Sequence, residues 1–220
     1  YNQTNLKLVG THAGIGIGED GTSQMGLEDI GAMRSLPHMV ILQPADALET
    51  KQAVEWAAAH YGPVYLRLTR QKMDDVHAPS YKFQVGKADV IWQAEGAKHF
   101  QATIFASGGP VPHAVNAAKD LHSRGFAARV VNACSMAPFD DDAVARFAAD
   151  SDRIVTVEDH NIVGGLGTAV CEAAATRAVA VPVVRVGVRS FGESATPEQL
   201  YDKYGLSAPH IVEACLRNLI

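Results

Sequence analysis

The chain has 220 residues, 47% hydrophobic and 20% charged, with a formal net charge of -5, a composition that suits a globular protein burying roughly 70% of its unfolded surface. With a pI near 6.0 and lysines and arginines scattered along the chain, it offers no electrostatic footprint for nucleic acid or an anionic membrane, so a small ligand is expected. No apolar run reaches the roughly 18 residues of a membrane span and no signal-peptide pattern opens the chain, which reads as cytoplasmic.

The chain begins at Tyr1 rather than Met and reaches a strand-like run almost at once, so an N-terminal piece is expected to be missing. Strands are predicted at LKLVG (6–10), MVILQ (39–43), VYLRL (64–68), ATIFAS (102–107), AARVVN (127–132), RIVTVED (153–159) and PVVRVGV (182–188), with helical patterns between them. That alternation predicts an α/β protein with mostly parallel sheet. Asp46 and Glu49 form a capping-box pattern ahead of apolar Ala53, Val54 and Ala57, and Thr196-Pro-Glu-Gln199 repeats it. A last helix from about Ser207 places Ile211, Ala214, Cys215 and Leu219 on one face. The polar stretch from Gln71 to Gly86 is the natural linker. It leaves about 75 residues that look like the latter half of a domain, with one sheet edge uncovered, and a longer piece that looks whole. Cys134, Cys171 and Cys215 lie far apart in apolar surroundings and read as buried free thiols of a reducing compartment.

Gly16-Ile-Gly18-Glu-Asp-Gly21 spells the dinucleotide fingerprint G-x-G-x-x-G. That fingerprint needs its first glycine at the end of a strand, yet five residues separate Gly10 from Gly16. The residues facing a phosphate would be Glu19 and Asp20, each repelling it by roughly 3 kcal/mol at about 5 Å and an effective dielectric near 20. A helix dipole returns only about 1 kcal/mol. What remains is a glycine-rich loop beyond a strand's C-terminal end, where ligands bind in open α/β sheets, carrying His12, Glu19, Asp20, Ser23 and Gln24.

GTHAGIGIGEDGTSQMGLEDIGAMRSLPHMVILQPAD and the following VYLRLTRQ resemble the pyrimidine-binding domain of transketolase, entered part-way through. RIVTVEDHNIVGGLGTAV and FGESATPEQLYDKYGL resemble the transketolase C-terminal domain. The resemblance implies residues 1–75 as a partial pyrimidine-binding domain, 76–86 as linker and 87–220 as a three-layer α/β/α C-terminal domain with mostly parallel sheet. It also implies a thiamine diphosphate enzyme that moves a two-carbon ketol unit between ketose and aldose phosphates. His12 matches the catalytic loop histidine that binds the donor's hydroxyl and carbonyl end. Asp20 matches the aspartate that reads a donor hydroxyl, and Arg70 the phosphate-binding arginine. These residue types suit those tasks: an imidazole donates and accepts, a carboxylate fixes a hydroxyl, and a guanidinium grips a phosphate. Gln24 stands where many bacterial and yeast members carry histidine, and would reach the cofactor or substrate as a neutral amide. Arg67 lies on the other strand face from Leu66 and Leu68, and no motif claims it. Glu158-Asp159-His160 read as structural residues at a strand end, before a helix that starts close to backbone at Gly164-Gly165-Leu166-Gly167. His60, His99 and His122 are expected in solvent.

The chain contains no Gly-Asp-Gly element for a divalent metal and the diphosphate, and the glutamate that activates the cofactor belongs upstream of LKLVG in the family. The resemblance therefore implies a C-terminal section or small subunit, inactive alone. It would be completed as a homodimer or by a larger subunit holding thiamine diphosphate with Mg2+ or Ca2+. The alternatives are 1-deoxyxylulose-5-phosphate synthase, the beta subunit of a 2-oxoacid dehydrogenase, or a non-catalytic assembly module that kept the fold.

Overall fold

A computed structural model describes residue 2 and residues 4–217; Leu219, assigned above to the last helix face, lies outside the described residues. All seven predicted strands form. The elements run β1 (Lys7–Gly10), α1 (Asp29–Arg34), β2 (Val40–Leu42), α2 (Ala47–Ala59), β3 (Val64–Arg67), β4 (Asp89–Gln93), β5 (Ala102–Ala106) and α3 (Val111–Ser123). They continue with β6 (Ala128–Asn132), β7 (Ser135–Ala137), α4 (Asp141–Ala148), β8 (Ile154–Asn161), α5 (Leu166–Thr176), β9 (Val183–Val188), α6 (Pro197–Lys203) and α7 (Ala208–Leu216). No described helix is long and apolar enough to cross a membrane.

Two sheets result. The first has the order β1-β3-β2-β7, parallel except for β7. The second has the order β4-β6-β5-β8-β9, parallel except for β4. β1 has no strand on its outer side among the described residues, and Leu6 and Val9 there are about half exposed. β4 and β7 escape the sequence reading for separate reasons. DVIWQ is a half-exposed edge strand, while SMA is too short to show a period.

The second sheet is covered on both faces, which is why its strands read as continuous apolar runs. Ile104, Val130 and Val155 face α3 and α7, while their neighbours Phe105, Val131 and Ile154 face α4 and α5. In α2, Ala53 and Ala57 pack on Leu42, Val64 and Leu66, but Val54 is 44% exposed and belongs to the solvent face. The capping box at Thr196 and Gln199 closes as expected. At α2 only half of the box forms: Asp46 accepts from Glu49 N (2.8 Å), while the Glu49 carboxylate turns to Ala45 N (2.8 Å).

That buried Glu49 also accepts from Tyr81 Oη (2.7 Å) and Asn132 Nδ2 (2.8 Å), and Asp46 meets His77 Nδ1 at 2.8 Å. The irregular stretch between β3 and β4 is thus pinned at His77 and Tyr81 to α2, and through Glu49 to β6. Burial raises the Glu49 carboxyl above the usual range although His77 and Tyr81 favour its charge. Cys134 and Cys215 are buried free thiols, whereas Cys171 is only half-buried. His99 and His122 are exposed; His60 is half-buried and stacks on Trp56 with ring centroids 4.5 Å apart.

Candidate functional site

β1 and β3 end side by side, and the candidate loop leaves from the first of them. Leu68 N donates to Gly10 O (2.7 Å) and Ala13 N to Leu68 O (3.1 Å), carrying the pairing past the strands. The chain then tightens into 3-10 turns at Ile15–Asp20 and Thr22–Gln24, quite unlike a strand feeding directly into a phosphate-binding helix. Gly14 makes the entry with φ 77° and ψ -177°, a combination essentially reserved for glycine.

The loop's apolar side is buried and its polar side faces out. Ile15 and Ile17 enter the core between α6 and the second sheet. His12, Glu19, Asp20 and Gln24 are exposed. Asp20 Oδ2 and Arg70 Nη1 pair at 2.9 Å, with the side chains 45% and 51% exposed. Such a pair is worth about 0–1 kcal/mol, little enough that a ligand bringing its own hydroxyl and anion can separate it. His12 Nδ1 lies 2.8 Å from the Thr11 hydroxyl. The structure therefore joins Asp20 to Arg70 and sets His12 and Gln24 on the same exposed loop.

Beneath the loop lies a charged framework that sequence reasoning missed. Arg67, 1% exposed, donates to Asp29 Oδ2 (2.8 Å), Gly26 O (2.7 Å) and Asp159 O (2.9 Å). It lies on the strand face opposite Leu66 and Leu68, as read, and that face is covered by α1 and β8. Tyr65, two residues back on the same face, donates to Asp29 as well (2.6 Å). Burial works to raise the Asp29 carboxyl, but the charge and hydrogen bond of Arg67 outweigh it and hold it below the usual range. An arginine at alternate register with a tyrosine, preceded in the chain by a short helix that opens on Glu28-Asp29, is the signal that could have revealed this pair.

Glu158, Asp159 and His160 alternate along β8, so neighbours point to opposite sides. Glu158 caps α5, accepting from Leu166 N (2.6 Å) and Gly167 N (2.9 Å); burial nonetheless lifts its carboxyl to about 7. His160 Nδ1 donates to Asn161 O (2.6 Å), and burial with the nearby Arg67 charge lowers the ring to about 4, leaving it neutral. Asp159 points the other way and accepts from Ile15 N (2.7 Å) and Tyr201 Oη (2.9 Å). A cleft of about 270 Å³ lies beyond Gln71, lined by Lys72, Asp74, His113, Glu198 and Tyr201. Neither Asp20 nor Arg70 lines it, so the exposed loop and not this cleft is the candidate site.

A polar loop at the C-terminal ends of parallel strands, held from below by buried charges, defines an α/β protein whose loop stands where open sheets of this class bind ligands. The model of the transketolase pyrimidine binding domain matches residues 1–75, and that of the transketolase C-terminal domain residues 94–211. The chain belongs to the transketolase family. It is 35% identical to a putative transketolase C-terminal section of Methanocaldococcus jannaschii over 222 residues, covering 100% of this chain and 68% of that protein. It is 37% identical to the 6-deoxy-6-sulfo-D-fructose transketolase subunit SqwH of a Clostridium species, covering 97% of this chain and 65% of that one. Of a Mus musculus transketolase-like protein 2, 37% identical, it spans only 34%. Among solved structures, a split-gene transketolase described as an inactive beta4 tetramer superposes with a TM-score of 0.83 at 37% identity, covering 97% of this chain and 66% of that one.

The family implies thiamine diphosphate in the complete enzyme. Among the described residues no group of three or more His, Cys, Asp or Glu side chains is placed to hold a metal ion. The glycine loop, moreover, turns two carboxylates outward. The residues present thus do not fit the metal-diphosphate end of that cofactor.

Proposed function

We propose that this chain is the C-terminal section, or the smaller subunit, of a transketolase that transfers a two-carbon ketol unit between ketose and aldose phosphates, and that it is inactive alone. The rest of the enzyme, in a homodimer of the complete protein or in a larger subunit, would hold thiamine diphosphate with Mg2+ or Ca2+, and the cofactor would supply the nucleophilic carbon for the two-carbon unit. The division at 1–75, 76–86 and 87–220, the cytoplasmic location and the absence of nucleic-acid and membrane partners belong to the same proposal.

The observation that carries it is the Asp20 and Arg70 pair, at 2.9 Å on the rim of parallel strands. An acceptor for a sugar hydroxyl and a planar cation for a phosphate stand together, both open to solvent. In this reading Asp20 orients the donor's hydroxyl, Arg70 holds its phosphate bidentately, and His12 is the catalytic residue that hydrogen-bonds the reacting end. Gln24 contacts the cofactor as a neutral donor and acceptor. The misfit of the metal-diphosphate end supports the need for a partner.

The test mixes the chain with thiamine diphosphate and Mg2+ in a calorimeter, then assays ketol transfer from xylulose 5-phosphate to ribose 5-phosphate with and without a candidate larger subunit. Activity only in the mixture is expected. Micromolar binding with turnover by the chain alone overturns inactivity alone, and no turnover with any larger subunit favours the assembly module. In the active mixture Arg70→Ala should raise the donor KM by about tenfold, the loss of one charge-assisted contact, while stability changes by less than about 1 kcal/mol.

A further inference from the structure

The loop that carries His12, Asp20 and Gln24 is a series of short 3-10 turns interrupted by a kink at Gly18, so contacts from outside it are needed to fix where Asp20 stands. The geometry points to one carboxylate on β8: we propose that Asp159 is the positioning residue of the candidate substrate loop, acting on both members of the Asp20 and Arg70 pair. Its functional half rests on the ketol-transfer reading given above.

Two lines of contact leave this 2%-exposed carboxylate. The first goes to the loop. Asp159 Oδ1 accepts from Ile15 N at 2.7 Å, and Oδ2 faces Gly16 N at 3.4 Å. From there the chain kinks at Gly18 (φ 82°, ψ -122°), where it lies against Pro197 of α6, and enters a turn closed by Gly21 N to Gly18 O at 3.1 Å that carries Asp20, so the placement of Ile15 sets where this second turn begins. The second line goes to the other partner. Tyr201 Oη of α6 donates to Asp159 Oδ2 (2.9 Å) and accepts from Gln71 Nε2 (3.0 Å), and Gln71 is the residue after Arg70.

The loop backbone lies close against this carboxylate and against α6. A Cβ on Gly14 would fall 2.0 Å from Asp159 Oδ2, and one on Gly18 would fall 2.9 Å from Pro197 of α6. Arg67 grips the Asp159 carbonyl from beneath (2.9 Å). A buried carboxylate left with an unmet partner is costly, so the loop and the Arg70 strand end are held to one mutual position by a residue that touches neither Asp20 nor Arg70.

The experiment compares wild type with Asp159→Asn and Tyr201→Phe by hydrogen-deuterium exchange of the chain, and by donor kinetics of the assembly reconstituted with its larger subunit. Asp159→Asn should speed exchange across residues 13–24 by about tenfold, the loss of a charge-assisted bond, while peptides from β5 and β6 keep their protection. Tyr201→Phe should act in the same place by a smaller factor, and it carries the comparison alone if the Asn variant does not fold. In the assembly the donor KM should rise about tenfold with a smaller change in kcat, as expected when ligand placement rather than reaction is disturbed. Unchanged exchange at 13–24, equal acceleration in the core strands, or an unmoved KM beside loosened exchange overturns the proposal. If the wild-type assembly shows no ketol transfer, the functional reading fails, and the exchange result still decides the anchoring.

Discussion

Glu158 makes stability depend on pH in a direction opposite to that of most carboxylates. Its side chain is 1% exposed and accepts two α5 backbone N–H groups, yet burial outweighs those bonds and the charges of Arg67 and Arg185 and holds it at about 7 against 4.5. Between these values the folded chain keeps a proton that the unfolded chain has released. Stability therefore falls as pH rises, by about 1.4 kcal/mol per unit, or about 3 kcal/mol in all. Below about 4.5 this cost is absent, and above about 7 it is fully present. Glu158→Gln has no such proton to lose. Urea unfolding of both proteins at pH 5, 6, 7 and 8 should show wild type losing about 2–3 kcal/mol relative to the variant across the series, with the difference levelling near pH 8. A difference that stays within about 0.5 kcal/mol from pH 5 to 8 would refute the reasoning, because it would mean that the two amides keep Glu158 charged throughout.

Two further outcomes test the framework under the loop. Arg67→Met should cost about 3–5 kcal/mol, since it strands Asp29 and two carbonyls in a covered site; a loss under about 1 kcal/mol in denaturant titration would show that water takes over these bonds. Gly14→Ala forces a side chain into φ 77° and onto the Asp159 carboxylate, and should cost about 3 kcal/mol or more. An unchanged thermal midpoint would mean that the loop entry differs from the one described.

The strands were legible because a sheet covered on both faces writes itself as runs such as ATIFA and ARVVN, and the glycine-rich loop was legible because its charges excluded the nucleotide it imitates. The supports of the loop were not. Arg67 follows Leu66 in a strand, and nothing local says whether the face opposite a leucine meets water or β8, 92 residues further on. Asp159 was placed at a strand end as a structural residue, but its partners, Ile15 and Tyr201, lie on distant parts of the chain. β7 escaped for the same reason, because its meaning is given by Ile41 and Leu42, to which it pairs, and not by its own three residues.

That short strand bears on how the protein could be divided. Residues 135–137 cross back to complete the edge of a sheet otherwise built by residues 7–67. Cutting the chain between residues 75 and 87 would give one fragment with a bare flank and another with a loose tongue. Expressed together, the two fragments should find each other and reassemble.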